Sequence, residues 1–279
     1  DKESPGRDSK HFAVIGSVVQ RVFEYFYEYQ VYKRNHLAID ILLEKTEEFF
    51  NDFLDEEYVD FNHVTCPYSR GSALSECKEV VQKSYETILR ENLIGYKNLS
   101  ESTIQVPFKR QSLGKVALKG RLDFIIQRGD ENDPETLLLD GKATKNPDKV
   151  DDDQLLFYSL LFALRYQTLP DKVGFFFFRF GEDDEEPSLR WLDVTPQRLN
   201  RIKEDVMNVV KSIRSEEDWE PTPDPSYCRW CPFERVCDKR QSQKQKNREN
   251  RMSEKEKAAE NFFQGEGGGT FTMSEIGDE

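Results

Sequence analysis

From Phe12 the apolar positions Ile15, Val18, Val19, Val22, Phe23 and Phe26 recur at the interval of a helix with one buried face. The pattern repeats over 36–61, with Leu37, Ile39, Leu42, Leu43, Phe49, Phe50 and Phe53 turned inward, and over 74–92, with Val80, Val81, Ile88 and Leu89 inward. After residue 100 the period shortens to two. Residues 103–108, 115–117, 121–126 and 137–140 read as strands. Helical spacing returns over 151–166, and 173–180 and 189–194 are strands joined by an acidic turn. Thr195-Pro196 then supplies an N-cap and first helical position for a helix burying Leu199, Ile202, Val206, Val209, Val210 and Ile213. Apolar residues thin out past Asp238: 239–257 is rich in Lys, Arg, Gln and Asn, and 265–269 and 274–279 read as disordered, as does 1–10 as a loose start. Helices first, then strands interleaved with helices, predict an α/β fold with a central mixed sheet flanked by helices. Its parts are an N-terminal helical lobe over 1–101, a core with a cysteine cluster over 102–238, and a charged tail over 239–279.

Length and charge adjust this picture only at the edges. The 279 residues suffice for a sizeable core, and no apolar run approaches the length of a membrane span. The chain opens on Asp rather than Met, and no leader is visible in it. Five cysteines, three of them close together, argue against a disulfide scaffold and for a metal or iron–sulfur site, with the cytoplasm as the expected compartment. The net charge of −13 runs against a nucleic-acid partner, which favours a basic face. Its distribution softens that objection, because 102–122 holds no acid but carries Lys109, Arg110, Lys115, Lys119 and Arg121.

The chemistry concentrates between Lys119 and Leu161. A strand carries Gly120-Arg121-Leu122-Asp123, the next ends Asp140-Gly141-Lys142, and Gln154 and Tyr158 follow one turn apart on a helix face. Strand alternation sets Asp140 beside Lys142, and pairing of the two strands brings Asp123 to the same point. Two carboxylates beside a lysine suit a hard divalent cation and an attacking water. An acid-x-Lys triplet alone is uninformative, and Glu76-Cys77-Lys78 in this chain is a decoy. The ordered series Gly-Arg-Leu-Asp, Asp-Gly-Lys, Gln-x-x-x-Tyr is the informative feature. It resembles the RecB-type branch of the PD-(D/E)XK nucleases, which includes CRISPR-associated exonucleases and the nuclease domains of recombination complexes.

That resemblance implies a metal-dependent DNA nuclease, an exonuclease acting on ends or single strands in recombination, repair or CRISPR-type processing. Asp123, Asp140 and the Gly141 carbonyl would hold Mg²⁺ or Mn²⁺, Lys142 would orient water, and Gln154 and Tyr158 would steady the site or contact DNA. A helicase or integrase is the kind of partner it implies. The row Gly16, Gln20, Glu24 on the first helix resembles the family's Gly-x-x-x-His motif, with Gln20 standing where the metal-contacting His belongs. An amide oxygen still ligates a hard cation but brings no charge. The rival reading is a catalytically weak or inactive DNA-binding subunit.

Cys228, Cys231 and Cys237 form a Cys-x2-Cys-x5-Cys run that both Zn²⁺ and iron–sulfur sites accept. The iron–sulfur branch of the family ends in this spacing and holds a [4Fe-4S] cluster. A fourth ligand would come from upstream of the chain or from Cys66.

Overall fold

The computed structural model describes residues 10–63, 66–110, 114–217, 228, 231, 233 and 236–264. The chain divides into two compact units, Asp8–Glu217 and the combination of Asp1–Arg7 with Asp218–Glu279.

In the larger unit the order is α1 (Val14–Glu28), α2 (Ala38–Glu56), α3 (Arg70–Arg90), β1 (Lys97–Arg110), β2 (Gly114–Asp130), β3 (Asp133–Lys142), α4 (Asp152–Tyr166), β4 (Lys172–Phe177), β5 (Leu189–Leu192) and α5 (Pro196–Ser215). The five strands form one sheet in the order β1-β2-β3-β4-β5. All neighbours are antiparallel except β3 and β4, which run parallel because α4 carries the chain back across the sheet. The α/β expectation of a mixed sheet flanked by helices is what the chain adopts.

Each sheet face has its own core. On one side Val18, Val22, Phe23 and Phe26 of α1 pack with α2 and α3 against Phe124, Ile126, Leu137, Leu139, Phe176 and Phe178. On the other, Leu155, Leu156 and Leu161 of α4 meet Leu122, Ile125, Leu138, Phe175 and Phe177. The phenylalanines of β4 and its continuation thus alternate between two cores. Burying each contributes roughly 1.5–3 kcal/mol.

Several boundaries differ from the sequence pattern, each for a local reason. The helix expected over 36–61 starts only at Ala38, because Asn35 adopts φ 51 and the preceding residues wind as a 3-10 turn, leaving Leu37 half exposed. The helix expected from 74 starts at Arg70, where Ser69 and Ser72 form a reciprocal capping box; Leu89 is exposed rather than inward. The two strands expected over 115–117 and 121–126 are one, β2. Gly120 does not interrupt it but admits α4: a Cβ there would fall 2.5 Å from Leu161 Cδ1. In α5 the N-cap is as expected, Thr195 accepting from the Arg198 amide at 3.3 Å, but Val209 and Ile213 are exposed. The acidic start of α4 is a capped first turn, Asp151 accepting from the Asp153 amide, with Asp152 paired to Arg190 and Arg198 and Asp153 to Arg201.

In the smaller unit, the segment expected to be a loose tail is helical over α6 (Asp238–Gln264). Its Lys, Arg, Gln and Glu residues are good helix formers, which composition-based disorder arguments undervalue. The expected disorder at 265–279 and at 1–9, and the side chains of Lys109, Arg110 and Lys115, lie outside the described residues. No described helix is long and apolar enough to cross a membrane.

Candidate active site

β2 and β3 pair from Asp130↔Asp133 to Phe124↔Leu139 and then part company. Asp123 and Asp140 stand at that fork. The β1–β2 ladder also skips one step at Asp123, between its Phe124 and Leu122 pairs. The strand changes face there: Leu122 and Ile125 belong to one core, Phe124 to the other. The local break frees the Asp123 carboxylate to turn along the sheet, where its Oδ2 accepts from the Gly141 amide at 2.9 Å.

Asp140 is 2 % exposed. Its Oδ2 lies 2.6 Å from the Lys142 ammonium, and its Oδ1 accepts from Gln154 Nε2 at 3.0 Å. Gln154 then closes the circuit: its Oε1 accepts from Lys142 Nζ at 2.9 Å, and its Nε2 lies 3.0 Å from the Tyr158 hydroxyl. The strand holds carboxylate and ammonium two residues apart, and the helix bridges both with one amide. Lys142 also sits 5.8 Å over the Phe175 ring.

Burial and the facing Asp140 push the Asp123 carboxyl up to about 7, against the smaller opposing pull of the Gly141 amide, Lys142 and Arg121. Asp140 is also raised by burial, with Lys142 opposing. Two carboxylates side by side, one buried and one half-buried, resist joint ionisation until a cation neutralises them. Hard oxygen donors in this arrangement fit Mg²⁺ or Mn²⁺.

α1 reaches the same place from the other face. A Cβ on Gly141 would fall 2.3 Å from the Phe178 ring and 3.0 Å from Gln20 Oε1, so only glycine lets helix and strand approach this closely. Gly16, one turn earlier, abuts Ala143. Gln20 thus stands against the strand end; its Nε2 is buried and finds no hydrogen-bond partner among the described residues. The structure therefore brings together Asp123, Asp140, Gly141, Lys142, Gln154, Tyr158 and Gln20.

The sequence pattern missed a support just outside this ring. Arg179 donates from Nε to the Ala143 carbonyl at 2.5 Å and from its terminal nitrogen to Glu76, which also accepts from the Tyr68 hydroxyl at 2.9 Å. It anchors the chain just past Lys142. The only signal was an arginine directly after the phenylalanine run 175–178. Glu76-Cys77-Lys78 lies on the helix α3, where Lys78 turns to the surface and pairs with Glu47 rather than facing Glu76.

A family model of the PD-(D/E)XK nuclease superfamily matches residues 2–238. The chain belongs to that superfamily. This superfamily is in general one of nucleases. No curated protein matches the chain. Among solved structures, "Crystal structure of SSO0001" is similar at 16 % identity over 80 % of this chain and 84 % of that one, with a TM-score of 0.34.

The cysteines divide between the two units. Cys66 belongs to the larger, where its thiol donates to the Tyr68 carbonyl at 3.4 Å. Cys228, Cys231 and Cys237 belong to the smaller, where the Cys231 amide donates to the Cys228 carbonyl at 3.1 Å. All are free thiols. Among the described residues, no group of three or more His, Cys, Asp or Glu side chains gathers to hold a metal. The rest of the cysteine stretch, including Tyr227, Trp230 and Pro232, lies outside the described residues.

Proposed function

We propose that this chain hydrolyses DNA phosphodiesters with Mg²⁺ or Mn²⁺, as an exonuclease acting on DNA ends or single strands in recombination, repair or CRISPR-type processing. The observation that carries the reading is half-buried Asp123 beside buried Asp140, with Lys142 set 2.6 Å from Asp140 and bridged to it by Gln154. A divalent cation held there supplies Lewis acidity toward phosphate and a water of lowered pKa.

The chain's own residues do the rest. Asp123 and Asp140 hold the cation, with the Gly141 carbonyl as a further oxygen. Gln154 keeps the Lys142 ammonium at the carboxylate edge, and Tyr158 fixes Gln154. Lys142 then faces the scissile phosphate, orients the water and offsets charge gathering on the phosphoryl oxygens. Gln20 contributes an uncharged amide oxygen where an imidazole would bind more strongly. That weakness favours, as a second reading, a DNA-binding subunit of low activity.

For the smaller unit, the Cys-x2-Cys-x5-Cys spacing supports a [4Fe-4S] or Zn²⁺ site at Cys228, Cys231 and Cys237, completed by a fourth ligand. The gathered thiolates would convert metal binding into folding energy.

The deciding experiment uses end-labelled single- and double-stranded DNA with Mg²⁺ or Mn²⁺. Wild type should shorten the labelled strand progressively, and Asp140→Ala should lose at least about 100-fold in rate. Tight DNA binding without cleavage would move the assignment to the second reading. Equal rates for wild type and Asp140→Ala would remove the site altogether.

A further inference from the structure

A cavity of about 520 Å³ opens between the C-terminal half of α1 and the start of β1. Tyr27, Tyr32 and Tyr96 line it, together with Glu24, Glu28 and Lys97. Resting on the nuclease reading above, we propose that this cavity takes a nucleobase of the substrate strand next to the cleaved nucleotide, and that it prefers guanine.

Its position is the first argument. α1 crosses the sheet from β3 toward β1: Gly16 abuts Ala143, Gln20 stands at Gly141, and Tyr27 packs 5.5 Å from Phe124. Glu24 is one turn past Gln20, about 6 Å along the helix. On the other wall, Lys97 pairs with Gln127, four residues along β2 from Asp123 and so about 13 Å away. The cavity is thus a near neighbour of the cleavage point. Its volume falls in the range of small-molecule pockets and admits a nucleoside.

Its chemistry is the second argument. Tyr27 forms a fixed wall, nearly fully buried, with its hydroxyl donating to the Leu93 carbonyl at 2.8 Å. Tyr32 is held by Asn98 Nδ2 at 3.3 Å and by the Phe26 ring edge. Tyr96, 42 % exposed, leaves a ring face at the rim. Such faces stack on any base. The carboxylates of Glu24 and Glu28 repel phosphate, so a base enters and its phosphate stays outside, beside Lys97. A carboxylate accepts only, and guanine alone offers two adjacent donors, N1–H and the 2-amino group, to one carboxylate.

The test is fluorescence anisotropy in EDTA with the Asp140→Asn protein and short fluorescein-labelled oligothymidylates in which one dT at a time is replaced by dG or dA. At one position dG should bind about 10-fold tighter than dA, a contrast within the reach of one stacked, hydrogen-bonded base. Tyr96→Ala should abolish the gain and Tyr96→Phe keep it, while Glu24→Gln should level dG with dA. Equal affinity for dG and dA at every position, or a Tyr96→Ala protein that binds like its parent, would overturn the proposal. Failure of the nuclease reading shows separately, as wild type with Mg²⁺ cleaving none of these oligonucleotides.

Discussion

Asp123→Asn tests whether the two carboxylates are held together at a cost. The substitution keeps the acceptor that receives the Gly141 amide at 2.9 Å and removes only the charge. Burial, with Asp140 alongside, moves the Asp123 carboxyl from its ordinary 3.8 to about 7. Below pH 3.8 the group is protonated in folded and unfolded chains alike, and no difference arises. Between 3.8 and 7 the folded chain keeps a proton that the unfolded chain releases, so stability falls as pH rises; above 7 the loss is complete. It amounts to about 4 kcal/mol at most. For a unit of this size that corresponds to a Tm difference on the order of 10 °C. Thermal unfolding in EDTA from pH 4 to 8 should therefore give curves that meet at low pH and diverge upward, with Asp123→Asn the more stable at pH 8. Adding Mg²⁺ should raise wild-type Tm at pH 8, do little at pH 5, and leave Asp123→Asn nearly unmoved. Parallel curves for the two proteins across this range would refute the claim that the pair resists joint ionisation.

Lys142→Ala should abolish metal-dependent cleavage and, by leaving the buried Asp140 without its ammonium, lower Tm as well, whereas Lys78→Ala, which removes only an exposed ion pair with Glu47, should cleave and melt like wild type; initial rates on labelled DNA and thermal melts compare them. Gln20→His should lower the Mn²⁺ concentration needed for half-maximal rate, and a titration in which Gln20→His and Gln20→Ala coincide would show that the side chain does not touch the metal. Gly141→Ala drives a methyl into Phe178 and Gln20 Oε1, so chemical denaturation should show a loss of about 1–3 kcal/mol together with reduced cleavage. Anaerobically purified protein should contain iron and sulfide that Cys231→Ser loses, and stoichiometric zinc without sulfide would leave a zinc site instead.

The candidate site was legible because its parts obey short-range rules. Asp140 and Lys142 share a strand face by alternation, and Gln154 and Tyr158 share a helix face by turn spacing; both relations survive whatever the rest of the chain does. Gln20 was legible only through its row with Gly16 and Glu24, which tertiary packing then set against Gly141. Less visible was the continuity of β2 through Gly120. A glycine in a strand reads as a break, and its true cause, the approach of Leu161, lies forty-one residues away in sequence. Arg179 and Glu76 are 103 residues apart, and no local pattern announces such a pair. Likewise the stacking of His11 on His63 at 5.0 Å joins two residues that no local pattern pairs.

The last residues of β3 and the one after it are addressed in turn from opposite sides of the sheet: Asp140 and Lys142 by Gln154 of α4, Gly141 and Ala143 by Gln20 and Gly16 of α1. The strand end works as a partition between two workshops. One side sets the acid–lysine pair, and the other sets the Gln20 amide against the glycine between them. An exchange on α1, such as amide for imidazole at Gln20, can therefore retune the site without disturbing the register of the reacting groups.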